Sequence, residues 1–158
     1  MWYADITYIP MQRGYMYLFA ILDWFSMKVL AWELSTTLDT DYCVRCLDRA
    51  IKLHGKPGIM NTDQGCQFTS EKWFSRLKCA DVTISMDGKG RWLDNVMVER
   101  FWRTIKYEDI YLKSYENPRE LEKGVNAFVL RYNTIRPHQS LEGKTPTEVH
   151  ESEKAKAA

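Results

Sequence analysis

The pattern of apolar and polar positions along the chain predicts strands first and helices afterwards. β-Branched and aromatic residues dominate three early segments: residues 2–9 (WYADITYI), 14–25 (GYMYLFAILDWF) and 28–34 (KVLAWEL). This composition is typical of β-strands. Because only short turns separate the segments, we expect them to pair as an antiparallel meander. From residue 40 to 53 the apolar residues recur at helical spacing, which predicts the first helix.

The rest of the chain alternates short apolar runs with helical patterns. Gly58–Met60 and Val82–Ser85 are strand candidates, and helices are predicted over 71–77, from about 92 to 107 and from 118 to 132. A short apolar run between two helices is typical of a buried parallel strand. The sequence therefore predicts an α/β protein with a mixed sheet, in which three antiparallel strands are followed by two parallel ones and helices flank the sheet.

Composition and length favour one folded domain. The chain has 158 residues, of which 45% are hydrophobic, and this is enough to bury a core. We expect the domain to span residues 1–150 and the polar residues 151–158 to fray. The longest apolar run, residues 15–22, is far short of the roughly 20 residues of a membrane helix. No secretion signal opens the chain, so a cytoplasmic location without membrane contact is expected.

The four cysteines do not form a recognisable metal site. Cys43 and Cys46 make one CxxC inside a helical pattern. Neither a second CxxC nor a histidine pair completes the ligand set that zinc needs. We expect reduced, partly buried thiols.

Three carboxylates occupy positions where chemistry is possible. Asp5 interrupts the first strand, where burying a lone carboxylate is costly. Asp63 follows the strand candidate Gly58–Met60 in the turn NTDQGCQFTS, and Glu99 lies on the polar stripe of the long helix. Each has a simpler interpretation: Asp5 on an edge strand in water, Asp63 as a turn cap, and Glu99 in a surface pair with Arg103.

Together, the three carboxylates could converge at one edge of the sheet. Oxygen ligands from separate elements suit hard cations such as Mg²⁺ or Mn²⁺. Two such ions about 4 Å apart can activate a hydroxyl and stabilise the departing oxygen in phosphodiester cleavage. The net charge is only +1, yet basic residues cluster between positions 89 and 106 and could hold a phosphate backbone. They are Lys89, Arg91, Arg100, Arg103 and Lys106.

Four ordered motifs resemble the catalytic core of DDE transposases and retroviral-type integrases, specifically the integrase core of bacterial insertion-sequence transposases. They are DITYI at 5–9, the DxGxxF of Asp63, Gly65 and Phe68, LDNVMVERFWRTIKYE at 93–108, and YNTIRPHQSLEGKTPTE at 132–148. Between Asp63 and Glu99 lie 35 residues, positions 64–98, which is the spacing this family uses between its second and third acidic ligands. The resemblance covers nearly the whole chain.

The resemblance implies a ribonuclease-H-like fold and two divalent ions, Mg²⁺ or Mn²⁺. It implies Asp5, Asp63 and Glu99 as the catalytic and metal-binding triad of a polynucleotidyl transferase. In such an enzyme water frees a DNA 3′-hydroxyl, which then attacks target DNA. Arg103 and Lys106 are implied to face DNA. The expected partners are the element ends, target DNA and further copies of the chain.

Two alternative functions stay open. The chain could be a ribonuclease-H-like nuclease without strand transfer, or an inactive DNA-binding or assembly remnant of a decayed transposase. Transposases of this family normally carry an N-terminal DNA-recognition region, whereas this sequence starts almost at the first predicted catalytic strand. We therefore expect a core fragment, a truncated reading frame or a subunit that borrows specificity, acting at a bacterial nucleoid.

Two further side chains have open roles. Asp23 ends the second predicted strand and could approach the site or face water. His138 belongs to the last motif and could contact DNA or pack within its turn.

Overall fold

A five-stranded mixed sheet forms the centre of the protein. The computed structural model describes residues 1–86 and 92–158, without the side chains of 92–95. The strands are β1 (Trp2–Pro10), β2 (Tyr15–Asp23), β3 (Val29–Ser35), β4 (Ile59–Thr62) and β5 (Thr83–Met86). Their order is β3-β2-β1-β4-β5. The pairs among β1, β2 and β3 are antiparallel, and the pairs β1–β4 and β4–β5 are parallel, which confirms the predicted sheet.

Helices flank both faces of this sheet. They are α1 (Asp41–His54), α2 (Glu71–Cys79), α3 (Trp92–Ile105), α4 (Tyr111–Lys113), α5 (Pro118–Thr134) and α6 (Pro146–Ala157). A π-helical turn, Lys106–Ile110, joins α3 to α4, so the long predicted helix continues past its expected end near residue 107. Within the described ranges, none of the helices has the length and apolarity that crossing a membrane requires.

Two apolar cores lie on opposite faces of the sheet, because successive side chains of a strand point to opposite sides. Tyr3 and Ile9 of β1 pack into the core that α3 and α5 cover. Trp2 and Ala4 of the same strand pack into the core that α1 and α2 cover. Both faces of β1 are therefore packed against a core. The strand can hold a side chain in place at the positions beyond its pairing with β4.

The C-terminal helix α6 is not among the helices that the sequence predicts. Residues 151–157, predicted to fray, continue α6 to Ala157. Thr145 and Glu148 form a capping box at its start, which satisfies backbone N–H groups of the first turn. His150 is buried and its Nδ1 lies 3.7 Å from Asp23 Oδ2, so the helix docks on the end of β2. The expected division of the chain at residue 150 stays a prediction.

The side chain of Asn133 on α5 acts as a hydrogen-bonding neighbour for the edge strand β3. Its Oδ1 accepts from the Val29 backbone N–H at 3.0 Å, and its Nδ2 donates to the Val29 carbonyl at 2.8 Å. Both residues are buried. Asn133→Ala should lower the free energy of unfolding by about 2–4 kcal/mol, because two buried backbone groups lose their partners.

Urea unfolding measures this loss. Asn126→Ala changes an exposed asparagine of the same helix and should alter the free energy of unfolding by less than about 0.5 kcal/mol. Equal effects of the two substitutions would show that the paired hydrogen bonds contribute nothing.

Candidate active site

Asp5 lies on β1 immediately beyond its pairing with β4. The β4 ladder matches Trp2, Tyr3 and Ala4 of β1 and ends there. From Asp5 onward the described chain places no strand on that side of β1, while β2 continues to pair on the other. The Asp5 carboxylate is half-buried. Its Oδ2 accepts a hydrogen bond of 2.8 Å from the indole Nε1 of Trp102 on α3.

Asp63 is the first residue after β4, and its own backbone turn holds its carboxylate. Thr62 pairs with Ala4, so Asp63 and Asp5 each directly follow the last paired residue of the β1–β4 ladder and lie side by side. Oδ1 of Asp63 accepts from the Gly65 backbone N–H at 2.8 Å. A Cβ atom on Gly65 would lie 2.9 Å from that oxygen. The turn thus orients the carboxylate, and glycine is the residue that leaves space for it.

The charges of Asp63 and Glu99 both act on Asp5. The pKa of Asp5 rises from its ordinary value of 3.8 to about 6, chiefly because burial disfavours its charged form. The Trp102 hydrogen bond opposes this rise, and the negative charges of Asp63 and Glu99 add to it. Asp63 and Glu99 therefore both lie within electrostatic range of Asp5.

The side chains of Asp5, Asp63 and Glu99 do not form a compact ligand cluster in the described structure. Among the described residues, no group of three His, Cys, Asp or Glu side chains is close enough to hold one metal ion. The charge balance nevertheless fits a divalent cation, because a positive charge here would stabilise the charged form of Asp5, which burial and the neighbouring carboxylates disfavour. The donors are all oxygens, which suits Mg²⁺ or Mn²⁺.

Lys106 brings a positive charge to the same region. It begins the π-helical turn after α3 and is half-buried. Burial lowers the pKa of its ammonium group, and the charge of Asp5 opposes that change. Its Nζ lies 5.4 Å from the ring centroid of Tyr8, a cation–π contact. Lys106 thus lies near both Asp5 and an exposed aromatic ring of β1.

The other basic residues predicted to contact DNA are less closely tied to this site. Arg103 is exposed on α3. Arg100 is also exposed, and its charge acts on Tyr132 of α5. Lys89 and Arg91 lie outside the described residues.

Asp23 and His138 have structural contacts. Asp23 lies opposite Trp2 on β1, and its Oδ2 accepts from the backbone N and the Oγ of Ser26 at 2.9 and 2.7 Å. It therefore stabilises the turn between β2 and β3. The ring of His138 packs edge-on against Tyr132 with 4.6 Å between centroids, which fits packing within its turn.

The CxxC pair belongs to a core. Cys43 and Cys46 are free, buried thiols on α1. Burial raises the pKa of each thiol to about 12. Both are therefore protonated at neutral pH, and a protonated thiol is a poor metal ligand.

Trp102 is the site residue that the sequence analysis missed. On a helix, residues three and four positions apart are neighbours. The sequence interpretation paired Glu99 with Arg103, four residues on, and did not consider Trp102, three residues on. The available signal was a tryptophan one turn after an acidic residue, since a buried indole N–H usually needs a partner.

Comparisons with known proteins show which proteins the chain resembles. Two family models described as integrase core domain match residues 1–91 and 80–146. The chain is 36% identical over 148 residues to the transposase for insertion sequence element IS904 of Lactococcus lactis, covering 92% of this chain and 58% of that protein. It is 33% identical over 150 residues to a putative transposase for IS150 of Escherichia coli, covering 93% and 53%. The chain thus spans about half the length of these relatives.

Solved structures agree with the fold. The HTLV-2 integrase catalytic core domain, determined in complex with magnesium, has a TM-score of 0.76 and 23% identity, with 94% of each chain covered. The catalytic core domain of BIV integrase has a TM-score of 0.78 and 19% identity, covering 99% of this chain and 97% of that one. The predicted ribonuclease-H-like fold is confirmed.

Proposed function

The chain belongs to the integrase core domain family, and from that premise we propose that it cleaves DNA phosphodiester bonds and joins DNA 3′-ends to target DNA. Asp5, Asp63 and Glu99 are the proposed catalytic residues. The observation that carries this proposal is that the charges of Asp63, just after β4, and Glu99 both act on Asp5, which lies on β1 directly beyond its pairing with β4. The transposase relatives support DNA as the substrate.

The three carboxylates would hold two divalent ions, Mg²⁺ or Mn²⁺. When bound, such ions favour deprotonation of the attacking hydroxyl and neutralise charge on the departing oxygen. The surrounding residues hold these carboxylates in place. Strand β1 and the Trp102 hydrogen bond hold Asp5, and the Gly65 N–H holds Asp63. A magnesium complex of the HTLV-2 core, a protein of the same fold, supports this choice of cofactor.

DNA would be held through its phosphates. Lys106 lies near Asp5, and Arg103 and Arg100 are exposed on the helix that carries Glu99. Lys89 and Arg91, which lie outside the described residues, are proposed as further phosphate contacts. Such contacts position the duplex and carry little base information.

Charge removal on this surface should weaken DNA binding equally for unrelated sequences. Lys106→Ala and Arg103→Ala should each reduce the slope of log affinity against log salt by about one unit, because each phosphate contact releases about one counterion. Fluorescence anisotropy with two unrelated duplexes over a range of salt measures this slope.

Lys56→Ala is the matched control for this experiment. It removes the same charge from Lys56, which lies in the connection before β4 and pairs with Asp81. This substitution should leave the slope unchanged. Equal slopes for all variants and the wild-type chain would mean that α3 does not face DNA.

A strand-transfer assay tests the proposed activity. The chain is incubated in Mn²⁺ or Mg²⁺ with a labelled duplex that has a free 3′-hydroxyl and with a target plasmid. Joined products are the expected result. Cleavage without joining would favour a ribonuclease-H-like nuclease, and neither activity from a folded chain would favour an inactive DNA-binding remnant.

We also propose that the chain acts as a homo-oligomer. The HTLV-2 core has been described in dimeric and trimeric forms. Sedimentation equilibrium of this chain, alone and with DNA, tests the proposal, and a monomer under both conditions would contradict it.

A further inference from the structure

Trp102 is fixed by packing and directed at one proposed metal ligand. Its side chain is only 6% exposed, and its ring lies 5.0 Å from that of Phe101 between centroids. From this position its Nε1 donates to Asp5 Oδ2 at 2.8 Å. A ring packed in this way has few rotamers available, so the direction of its N–H is set by the core rather than by solvent.

This hydrogen bond joins two elements that carry proposed ligands. Asp5 lies on β1, and Trp102 follows Glu99 by three residues on α3, which is about one helical turn. A displacement of α3 relative to β1 would break the contact. The indole therefore couples the placement of the Asp5 carboxylate to that of the helix bearing Glu99.

Another buried indole of the described chain has no hydrogen-bond partner. Trp73 on α2 is 0% exposed, and its Nε1 has no hydrogen-bond partner among the described residues. Satisfying an indole N–H is therefore an incomplete explanation for the Trp102–Asp5 contact. At Asp5 the hydrogen bond also has an electrostatic effect, because it is the largest influence favouring the charged form of that carboxylate.

We propose that Trp102 is a positioning residue, which holds the Asp5 carboxylate through Oδ2 in the orientation that receives a divalent cation. This role rests on the proposed function, because it requires Asp5 to be a metal ligand. Partners of metal ligands set the orientation of those ligands, and their loss typically weakens metal affinity roughly 10–100-fold.

Trp102→Phe tests the role, because it keeps an aromatic ring in the core and removes the N–H donor. Trp73→Phe is the matched control, since it makes the same chemical change at another buried ring whose Nε1 has no hydrogen-bond partner among the described residues. Mn²⁺ affinity is measured without DNA, from the electron paramagnetic resonance signal of free Mn²⁺. Trp102→Phe should weaken affinity about tenfold or more, and Trp73→Phe should leave it within about twofold of the wild type. The Mn²⁺ binding that is lost in Asp5→Asn is the binding at this site.

Two different failures can be told apart. If the wild-type chain and Asp5→Asn take up Mn²⁺ equally, Asp5 is not a ligand, and the proposed metal site fails together with the inference. If Asp5→Asn loses Mn²⁺ but Trp102→Phe does not, only the role of Trp102 is overturned.

A second measurement does not depend on the stability of a Trp102 variant. The chain has six tryptophans, and each indole N–H gives its own signal in a ¹⁵N-correlated NMR spectrum. One indole signal should shift when Asp5 is changed to Asn, and that same signal should shift in the wild-type chain as Mg²⁺ is added. The inference is overturned if Mg²⁺ binds at the Asp5 site but does not shift the indole signal that Asp5→Asn shifts.

Discussion

Asp5→Asn, Asp63→Asn and Glu99→Gln should each abolish DNA cleavage while leaving the chain folded. Each substitution replaces a carboxylate by an amide of nearly the same shape and removes one negative charge from the proposed metal site. The rate should fall more than about 100-fold, because even the loss of a partner to a ligand costs roughly 10–100-fold in metal sites. Cleavage of a labelled duplex in Mn²⁺ measures the rate.

Asp48→Asn is a control for this series, because it makes the same chemical change at an exposed α1 residue that pairs with Arg76. It should cleave at the wild-type rate. Retained Mn²⁺-dependent cleavage in any of the three site variants would remove that residue from the proposed triad.

The free energy of unfolding of Asp5→Asn should depend on pH differently from that of the wild-type chain. Without divalent metal, the raised pKa of Asp5 means that the fold disfavours its charged form. Between about pH 4 and pH 6 the folded chain keeps a proton that the unfolded chain has released, so stability falls as pH rises through that window. Asp5→Asn lacks this penalty and should be about 1–3 kcal/mol more stable than the wild type at pH 8.

Urea unfolding in a chelator at pH 4 and pH 8 checks the sign. The wild-type chain should lose more stability than Asp5→Asn between the two pH values, since other groups titrate equally in both. An Asp5→Asn variant that is less stable at pH 8 would show that the burial of Asp5 is compensated within the fold.

Gly65→Ala should nearly abolish cleavage by displacing the Asp63 carboxylate. The new methyl group would lie 2.9 Å from Oδ1 of Asp63 and 3.4 Å from Oε1 of Gln67, so the carboxylate must leave the hydrogen bond that the Gly65 N–H donates. A displacement of about 1 Å in a catalytic group can cost on the order of 100-fold in rate. The free energy of unfolding should change by no more than about 1 kcal/mol, because the turn is exposed to solvent on one side.

Gly58→Ala is the matched control, because a methyl group there meets nothing within 4 Å. It should cleave normally. If Gly65→Ala also cleaves at the wild-type rate, the turn does not orient Asp63 for catalysis.

The sequence by itself determined the type and order of the five strands and of α1, α2, α3 and α5. Aromatic and β-branched composition predicted the three-strand meander, and helical periodicity predicted α1 and the long α3, because both signals are local. The acidic residues and their spacing were also readable, since Asp5, Asp63 and Glu99 occur within ordered motifs.

Only the tertiary structure decided which groups meet. The indole of Trp102 and the carboxylate of Asp5 are 97 residues apart, and no periodic pattern encodes a contact across that separation. The same holds for Asn133 and Val29, which are 104 residues apart. The pKa of Asp5 likewise depends on burial by segments far along the chain.

Local patterns also misjudged elements that distant contacts stabilise. The last residues appear polar, yet a capping box and the docking of His150 against Asp23 keep α6 helical to Ala157. Packing of α6 against β2 thus outweighs weak local preference, because the free energy of burial and pairing exceeds the differences in helix propensity.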